Sequence, residues 1–366
     1  MQRRTFIAAS AALPLVAAIP TLARAQQLPY RLRAGESWRV FDVTTRVEIV
    51  FPEGETRVWL PMPSINEDWQ RTVTSEWSGN AARVGTVHDR RYGAAILYAE
   101  WGANEKTPMI EVTSRIATRD RWVDLSRPGK VVPLSPEERA FHTAPTDLIP
   151  TDGIVAKTAR SAVARARTDL DKARAIYEWV VINTHRDPKT RGCGIGDIRS
   201  MLETGNLGGK CADLNALYVG LARAVGLPAR DVYGLRVAKS QFGYRSLGLG
   251  SENATRAQHC RAEVWLAGFG WVSVDPADVR KVVLEERPQS TTLDDPLVKA
   301  VRPQLFGGWE MNWIAYNRAH DVALQGGKGP KVGFLMYPQG ETAQGRIDSL
   351  DPDNFKYTIR AREIAA

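Results

Sequence analysis

The sequence predicts an α+β chain in which a β-rich amino-terminal third precedes helices packed on an antiparallel sheet. Three observations carry this. Residues 36–124 are dense in β-branched and aromatic residues, with period-two alternation. Helical 3–4 spacing takes over near residue 151. A helix opening at Cys211 is then followed by two alternating strands, one beginning at His259 and one closing at Asp275.

The first 25 residues read as a bacterial export signal. Arg3-Arg4-Thr5-Phe6-Ile7 is a twin-arginine start, Ala8 to Ala18 is apolar, and Ala23-Arg24-Ala25 is a small-x-small cleavage site. Pro14, Pro20 and the alanine content make it a poor membrane span. Its removal takes away Arg3, Arg4 and Arg24 and no acid, so the net charge falls from +8 to +5. That surplus is dispersed, with no long Lys/Arg block, which argues against a nucleic-acid partner. The expected location is periplasmic or secreted, without stable membrane insertion. The remaining ~340 residues suggest more than one domain. We expect a β-sandwich over 30–125, a linker at Ser126–Lys130, a core over 136–283, and a carboxy-terminal extension over 284–366 that packs on the core.

Strands are expected at Trp38–Ile49, at Thr56–Leu60 after the Pro52-Glu53-Gly54 turn, at Ala94–Ala99 and at Ile110–Ile116, as in a small sandwich. Thr151-Asp152 can cap a helix over 153–166, and Thr168 a second over Leu170–Ile182 with Leu170, Ala173, Ile176, Tyr177 and Val180 on one face. A loop from Thr184 to Gly196 and a short helix at Ile198–Glu203 lead to the glycine-rich Gly205-Asn206-Leu207-Gly208-Gly209. The helix from Cys211 carries Leu214, Leu217, Tyr218, Leu221, Ala222 and Val225 at helical spacing and stops at Gly226, with Pro228 beyond. Val232–Val237 reads as a strand, and Lys239–Arg256 as a polar, mobile loop beside the site. Trp309 and Trp313, four apart, read as core positions on a helix, while 332–337 and 355–363 read as strands.

A thiol at a helix N-terminus has its thiolate stabilised by the partial positive end of the helix, and the N–H groups of that turn can receive an oxyanion. Along the next strand, His259, Arg261, Glu263 and Trp265 alternate with the apolar set Cys260, Ala262, Val264 and Leu266. His259 therefore takes the polar face and Cys260 the core face. In the following strand Trp271, Ser273 and Asp275 alternate with Val272 and Val274. Asp275 shares a face with His259 only if the connection has odd length or carries a bulge. A three-residue turn puts Asp275 opposite Arg261 and diagonal to His259, roughly 7–8 Å away, within reach of a carboxylate–imidazole hydrogen bond.

Gly209-Lys210-Cys211-Ala212-Asp213-Leu214-Asn215-Ala216-Leu217, with Ala222 to Arg230 behind it, resembles the nucleophile helix of the transglutaminase-like superfamily. His259 to Val264 and Gly270 to Pro276 resemble its histidine and aspartate strands. The resemblance covers about residues 170–283. It implies a papain-like core and a Cys211–His259–Asp275 triad acting on amide bonds, with no cofactor. It also implies a peptide, protein or peptidoglycan-like amide as substrate. Hydrolysis is preferred, glutamine–lysine cross-linking is the near alternative, and a non-catalytic binding module on the same scaffold is the distant one. Cys260-Arg261 departs from the small-then-aromatic pair usual beside the histidine.

Three cysteines in an exported chain suggest one disulfide and one free thiol. With Cys211 kept free, the expected pair is Cys193–Cys260; the alternative is three reduced thiols. Cys211, His259 and Asp275 lack the close ligand pair of a zinc site, so no metal is expected. His88, His142, His185 and His320 read as surface or packing residues.

Overall fold

The computed structural model describes residues 29–287 and 291–364. The signal segment, residues 1–25, lies outside the described residues. Strand Arg39–Ile49 turns Phe41, Val43, Thr45, Val47 and Ile49 inward at every second position, as the pleat requires. It sits in a four-stranded sheet of order Phe355–Ile364, Arg39–Ile49, Met109–Thr118, Gln70–Gly79. A second sheet runs Gly345–Ile347, Gln339–Thr342, Thr56–Pro61, Ala95–Trp101, Arg83–His88. Val47, Ile49 and Ile110 of the first meet Val58, Leu60, Leu97 and Trp101 of the second in one apolar layer. Gln70–Gly79 and Arg83–His88 are not evident from sequence, because both are largely polar and exposed.

The carboxy-terminal segment does more than pack on the core. Phe355–Ile364 pairs along nearly the whole length of Arg39–Ile49, and Gln339–Thr342 pairs with Thr56–Pro61. Trp313–Asn317 joins the central sheet, whose order is Gly270–Val274, Gln258–Leu266, Ala229–Arg236, Trp313–Asn317. Trp309 and Trp313 therefore lie on strands, not on a helix. Gly234 explains the fit of Trp313: a Cβ there would stand 2.0 Å from the Ile314 carbonyl oxygen and 2.4 Å from the Trp313 ring.

Helix Cys211–Ala224 lies across one face of this sheet and is buried from Cys211 through Arg223. Val225 and Gly226, the latter at φ +80°, end it. Helices Gly153–Ala162, Asp169–Asn183 and Pro276–Glu285 flank it. Thr168 caps its helix reciprocally with Asp171, while the helix after Asp152 stops at Ala162, earlier than periodicity suggests. The excursion expected to be a mobile loop is instead anchored. Tyr244 and Leu247 are buried, Asn312 donates to the Leu247 carbonyl at 2.9 Å, and Ala254 N–H donates to Ile359 at 2.8 Å.

The polar face of the histidine strand is buried too. Arg261 is 1% and Glu263 0% exposed. Glu263 accepts from Arg230 at 2.6 Å and Arg318 at 3.2 Å, and also pairs with Arg121. Burial alone would raise its pKa, but these guanidiniums hold it well below the usual carboxylate range. Replacing Glu263 by Gln leaves Arg121 without an acid among the described residues and Arg230 and Arg318 to share Glu67, so the variant should lose about 3–5 kcal/mol of stability at neutral pH. Denaturant unfolding at pH 7 with an unchanged midpoint and slope would contradict this.

Candidate active site

Cys211 is the first residue of its helix, delivered by the short pairing of Gly208–Gly209 with His185–Arg186. Asp213, one turn in, sutures the surrounding loops. Its Oδ2 accepts the Lys210 N–H and its Oδ1 accepts the Ile195 and Gly196 N–H groups, each at 2.9 Å. The loop passes so close that a Cβ on Gly194 (φ +93°) would fall 1.8 Å from Asp213 Oδ2. Two residues from Ile195, the Cys193 carbonyl accepts the Ala212 N–H at 2.9 Å, and the Cys193 thiol donates to the Gln258 carbonyl at 3.3 Å. The cysteine and glycines mark this loop in the sequence, and Asp213 stands in the motif that follows, but its role as the loop's tether has no local signal.

The strand register has the odd parity anticipated. Leu266 stands opposite Gly270 and Ala262 opposite Val274, with Ala267, Gly268 and Phe269 as the three-residue turn. His259 Nε2 then lies 2.8 Å from Asp275 Oδ2. Asp275 also caps helix Pro276–Glu285, its Oδ1 accepting the Asp278 N–H at 3.0 Å. Asn215 Nδ2 donates to the Cys260 carbonyl at 2.8 Å and reaches Asp275 Oδ1 at 3.4 Å, which ties the nucleophile helix to both strands. Behind the ring, the Trp313 indole donates to the His259 carbonyl at 2.9 Å.

A second carboxylate, absent from the sequence reading, completes the histidine's surroundings. Asp278 Oδ1 is 3.3 Å from His259 Nε2 and is paired with the buried Arg236. Its signal in the sequence is Asp275-Pro276-Ala277-Asp278, a cap followed by an acid at the third helical position. Arg261, the departure from the family pattern, places Nε 3.5 Å from Asp275 Oδ2 and lies over Trp313 at 4.7 Å.

Burial lowers the His259 pKa, but the negative charge of Asp278 and then of Asp275 outweighs it and raises the group to about 9. Burial and the Asp278 charge push Asp275 up, while Arg236 and His259 hold Asp278 far down against the cost of its burial. Cys211 is held well below the ordinary thiol value, by the neighbouring Cys193 and Cys260 thiols first and by His259 after them. Cys193 is pushed up, chiefly by its neighbour Cys211, and Cys260, chiefly by burial. With Nε2 facing the carboxylates, Nδ1 is the ring nitrogen left for Cys211.

Two expectations change here. Cys260 does take the apolar face of its strand, but the nucleophile helix covers that face, so Cys260 borders Cys211 instead of lying away from it. All three cysteines are free and buried, in place of the expected Cys193–Cys260 bridge. His259, Asp275 and Asp278 offer three ligand atoms within 4.8 Å of one another, though Arg236 and Arg261 already occupy the carboxylates. His142 and His320 pack against Trp271 and Tyr233, and His88 and His185 are exposed.

Cys211 and His259 line a cleft of about 930 Å³, together with Cys193, Gln258 and Tyr337. Residues 156–276 match the family model described as the transglutaminase-like superfamily. An uncharacterised protein of Haemophilus influenzae is 35% identical over 344 residues, 89% of this chain and 92% of that protein. A crystal structure of a candidate cysteine protease from Cytophaga hutchinsonii superposes with a TM-score of 0.51 at 16% identity, covering 89% of this chain and 98% of that one. The periplasmic domain of TgpA from Pseudomonas aeruginosa is more distant, at TM-score 0.34 and 15% identity, covering 68% and 88%. Matched segment, extended sequence identity and fold agree: the chain belongs to the transglutaminase-like superfamily.

Proposed function

We propose that the chain is an exported cysteine-dependent enzyme that transfers the acyl group of an amide, with Cys211 as nucleophile, His259 as acid and base, and Asp275 orienting the imidazole. One observation carries this reading. A thiol whose pKa is depressed stands at a helix N-terminus, on the wall of a cleft it shares with a histidine clamped at 2.8 Å by a buried carboxylate. Export rests on the sequence of residues 3–25.

In this scheme the Cys211 thiolate attacks the amide carbon, and the carbonyl electrons move onto oxygen. The Ala212 N–H is taken by Cys193 and the Leu214 N–H by Lys210, so the Cys211 N–H is the donor we assign to the oxyanion. As the C–N bond breaks, the His259 imidazolium gives its proton to the departing amine, leaving a thioester on Cys211 and a neutral imidazole. His259 then takes a proton from water, the hydroxide displaces the thiolate from the acyl carbon, and the carboxylic acid leaves. Water is the default acceptor for a thioester in an open cleft, which favours hydrolysis over transfer to a lysine.

Alkylation tests the nucleophile without a substrate. Iodoacetamide should label Cys211 well below the ordinary thiol pKa, and faster than Cys193 or Cys260. His259→Ala should remove that advantage; Cys211 reactivity at an ordinary pH and indifferent to His259 would leave only a binding module. Iodoacetate, being anionic, also reports the imidazolium, and its rate should fall through an alkaline limb near pH 9. Because Asp278 raises the His259 pKa, Asp278→Asn should move that limb down by about one pH unit or more. A folded variant, verified by circular dichroism, whose limb stays in place would show that Asp278 does not set it.

A further inference from the structure

The cleft is far more basic than the chain that forms it. Arg186, Arg191, Lys210, Arg236, Arg256 and Lys281 line it, and its lining contains no aspartate or glutamate. The six bases come from five stretches of chain, Arg186 and Arg191 sharing one loop, so their convergence is a property of the fold, not of a local basic run.

Their ion pairs leave charge over. Arg236 is matched by Asp278, and Arg191 at the exposed rim by Asp348. Arg186 and Lys281 share one acid, Glu285, with Lys281 at 3.8 Å. Lys210 and Arg256 make no ion pair among the described residues. Lys281 is mostly enclosed, and burial followed by the Arg236 charge lowers its pKa to about 8, so it remains a cation at neutral pH that a visiting anion would stabilise further. Leu249, Tyr337, Leu350 and Tyr357 add apolar surface to the same lining. A cleft lined by charge of one sign concentrates an anion, and its apolar surface can pack against the rest of the ligand.

We propose that the cleft selects an acidic peptide, one whose carboxylates flank the amide presented to Cys211. The inference rests on the acyl-transfer reading of that cysteine. Lys210 precedes the nucleophile and Arg256 lies three residues before His259, so both unpaired bases are close in sequence to the reacting groups. Nucleic acid, the other common polyanion, offers no acyl carbon to a thiolate.

The test uses the full exported chain carrying Cys211→Ala and three sets of blocked heptapeptides. Each set has a central glutamine flanked by pairs of glutamate, glutamine or lysine. Calorimetric titration should show the glutamate set binding about tenfold or more tightly than the glutamine set, with the lysine set weakest. The advantage should shrink between roughly 50 and 300 mM salt, as screening requires. Arg256→Glu, at an exposed position, should remove most of it. Glutamate and glutamine sets binding within twofold, lysine peptides binding best, or no binding by any set would each overturn the proposal. Turnover by the intact enzyme separates it from the broader reading. Equal cleavage of glutamate and glutamine peptides defeats the selectivity alone. Selective binding with neither turnover nor an acyl adduct on Cys211 defeats the acyl-transfer reading and leaves the selectivity standing.

Discussion

A strand that buries charge on the face opposite its apolar face governs the rest of this structure. His259, Arg261 and Glu263 all point into the interior, and an unpaired charge there would cost several kcal/mol. Glu263 is met from three parts of the chain. Arg121 comes from beyond the amino-terminal sheets, Arg230 from the adjacent strand, and Arg318 from the carboxy-terminal segment. Trp309 and Trp313 close over Arg261, and Trp313 also holds the His259 carbonyl. The two ends of the chain thus fold over the outer face of the sheet because that face cannot be left to itself.

The same constraint shapes the chemistry. A single carboxylate beside a buried histidine would be opposed by the desolvation of both. Here Asp275 and Asp278 converge on Nε2, while Arg236 and Arg261 offset the repulsion between the acids. The resulting field favours an imidazolium, and an imidazolium favours a thiolate on Cys211. Cys193 and Cys260 border Cys211 and act in the same direction on its thiol, while their own S–H groups are directed at the Gln258 carbonyl and the Met336 sulfur.

What could be read from the sequence was local in origin. The parity of the turn at Ala267–Phe269 follows from which residues alternate on two adjacent strands, so the approach of His259 to Asp275 was legible before any fold was known. The Thr168 cap and the stop at Gly226 are equally short-range. Asp278 was within the same reach, one helical turn beyond Asp275, but the strand ending at Asp275 drew attention away from the helix starting there. The position of Cys260 was not legible: alternation gives its face, but only tertiary packing reveals that the nucleophile helix covers that face. Trp313 failed for a similar reason. Spacing of four suits a helix, and the decisive fact is the room left by Gly234, some 80 residues earlier in the chain.

The cleft itself depends on the end of the chain. Strand Phe355–Ile364 pairs with Arg39–Ile49 in the sandwich, and Ile359 and Ala361 also bond the Glu252–Ala254 stretch. Phe355, Tyr357 and Thr358 line the cleft, as do Asn253, Thr255 and Arg256. One strand thereby edges a sheet, ties down the end of the excursion, and lines the cleft beside Cys211. The excursion is ordered from both sides: Tyr244 and Leu247 bury into the core at its middle, and the last strand bonds Glu252 and Ala254 at its end. Cys211, His259 and Asp275 come together through the central sheet and its helices, whereas one side of the cleft beside them is built by Phe355, Tyr357 and Thr358 of the last strand.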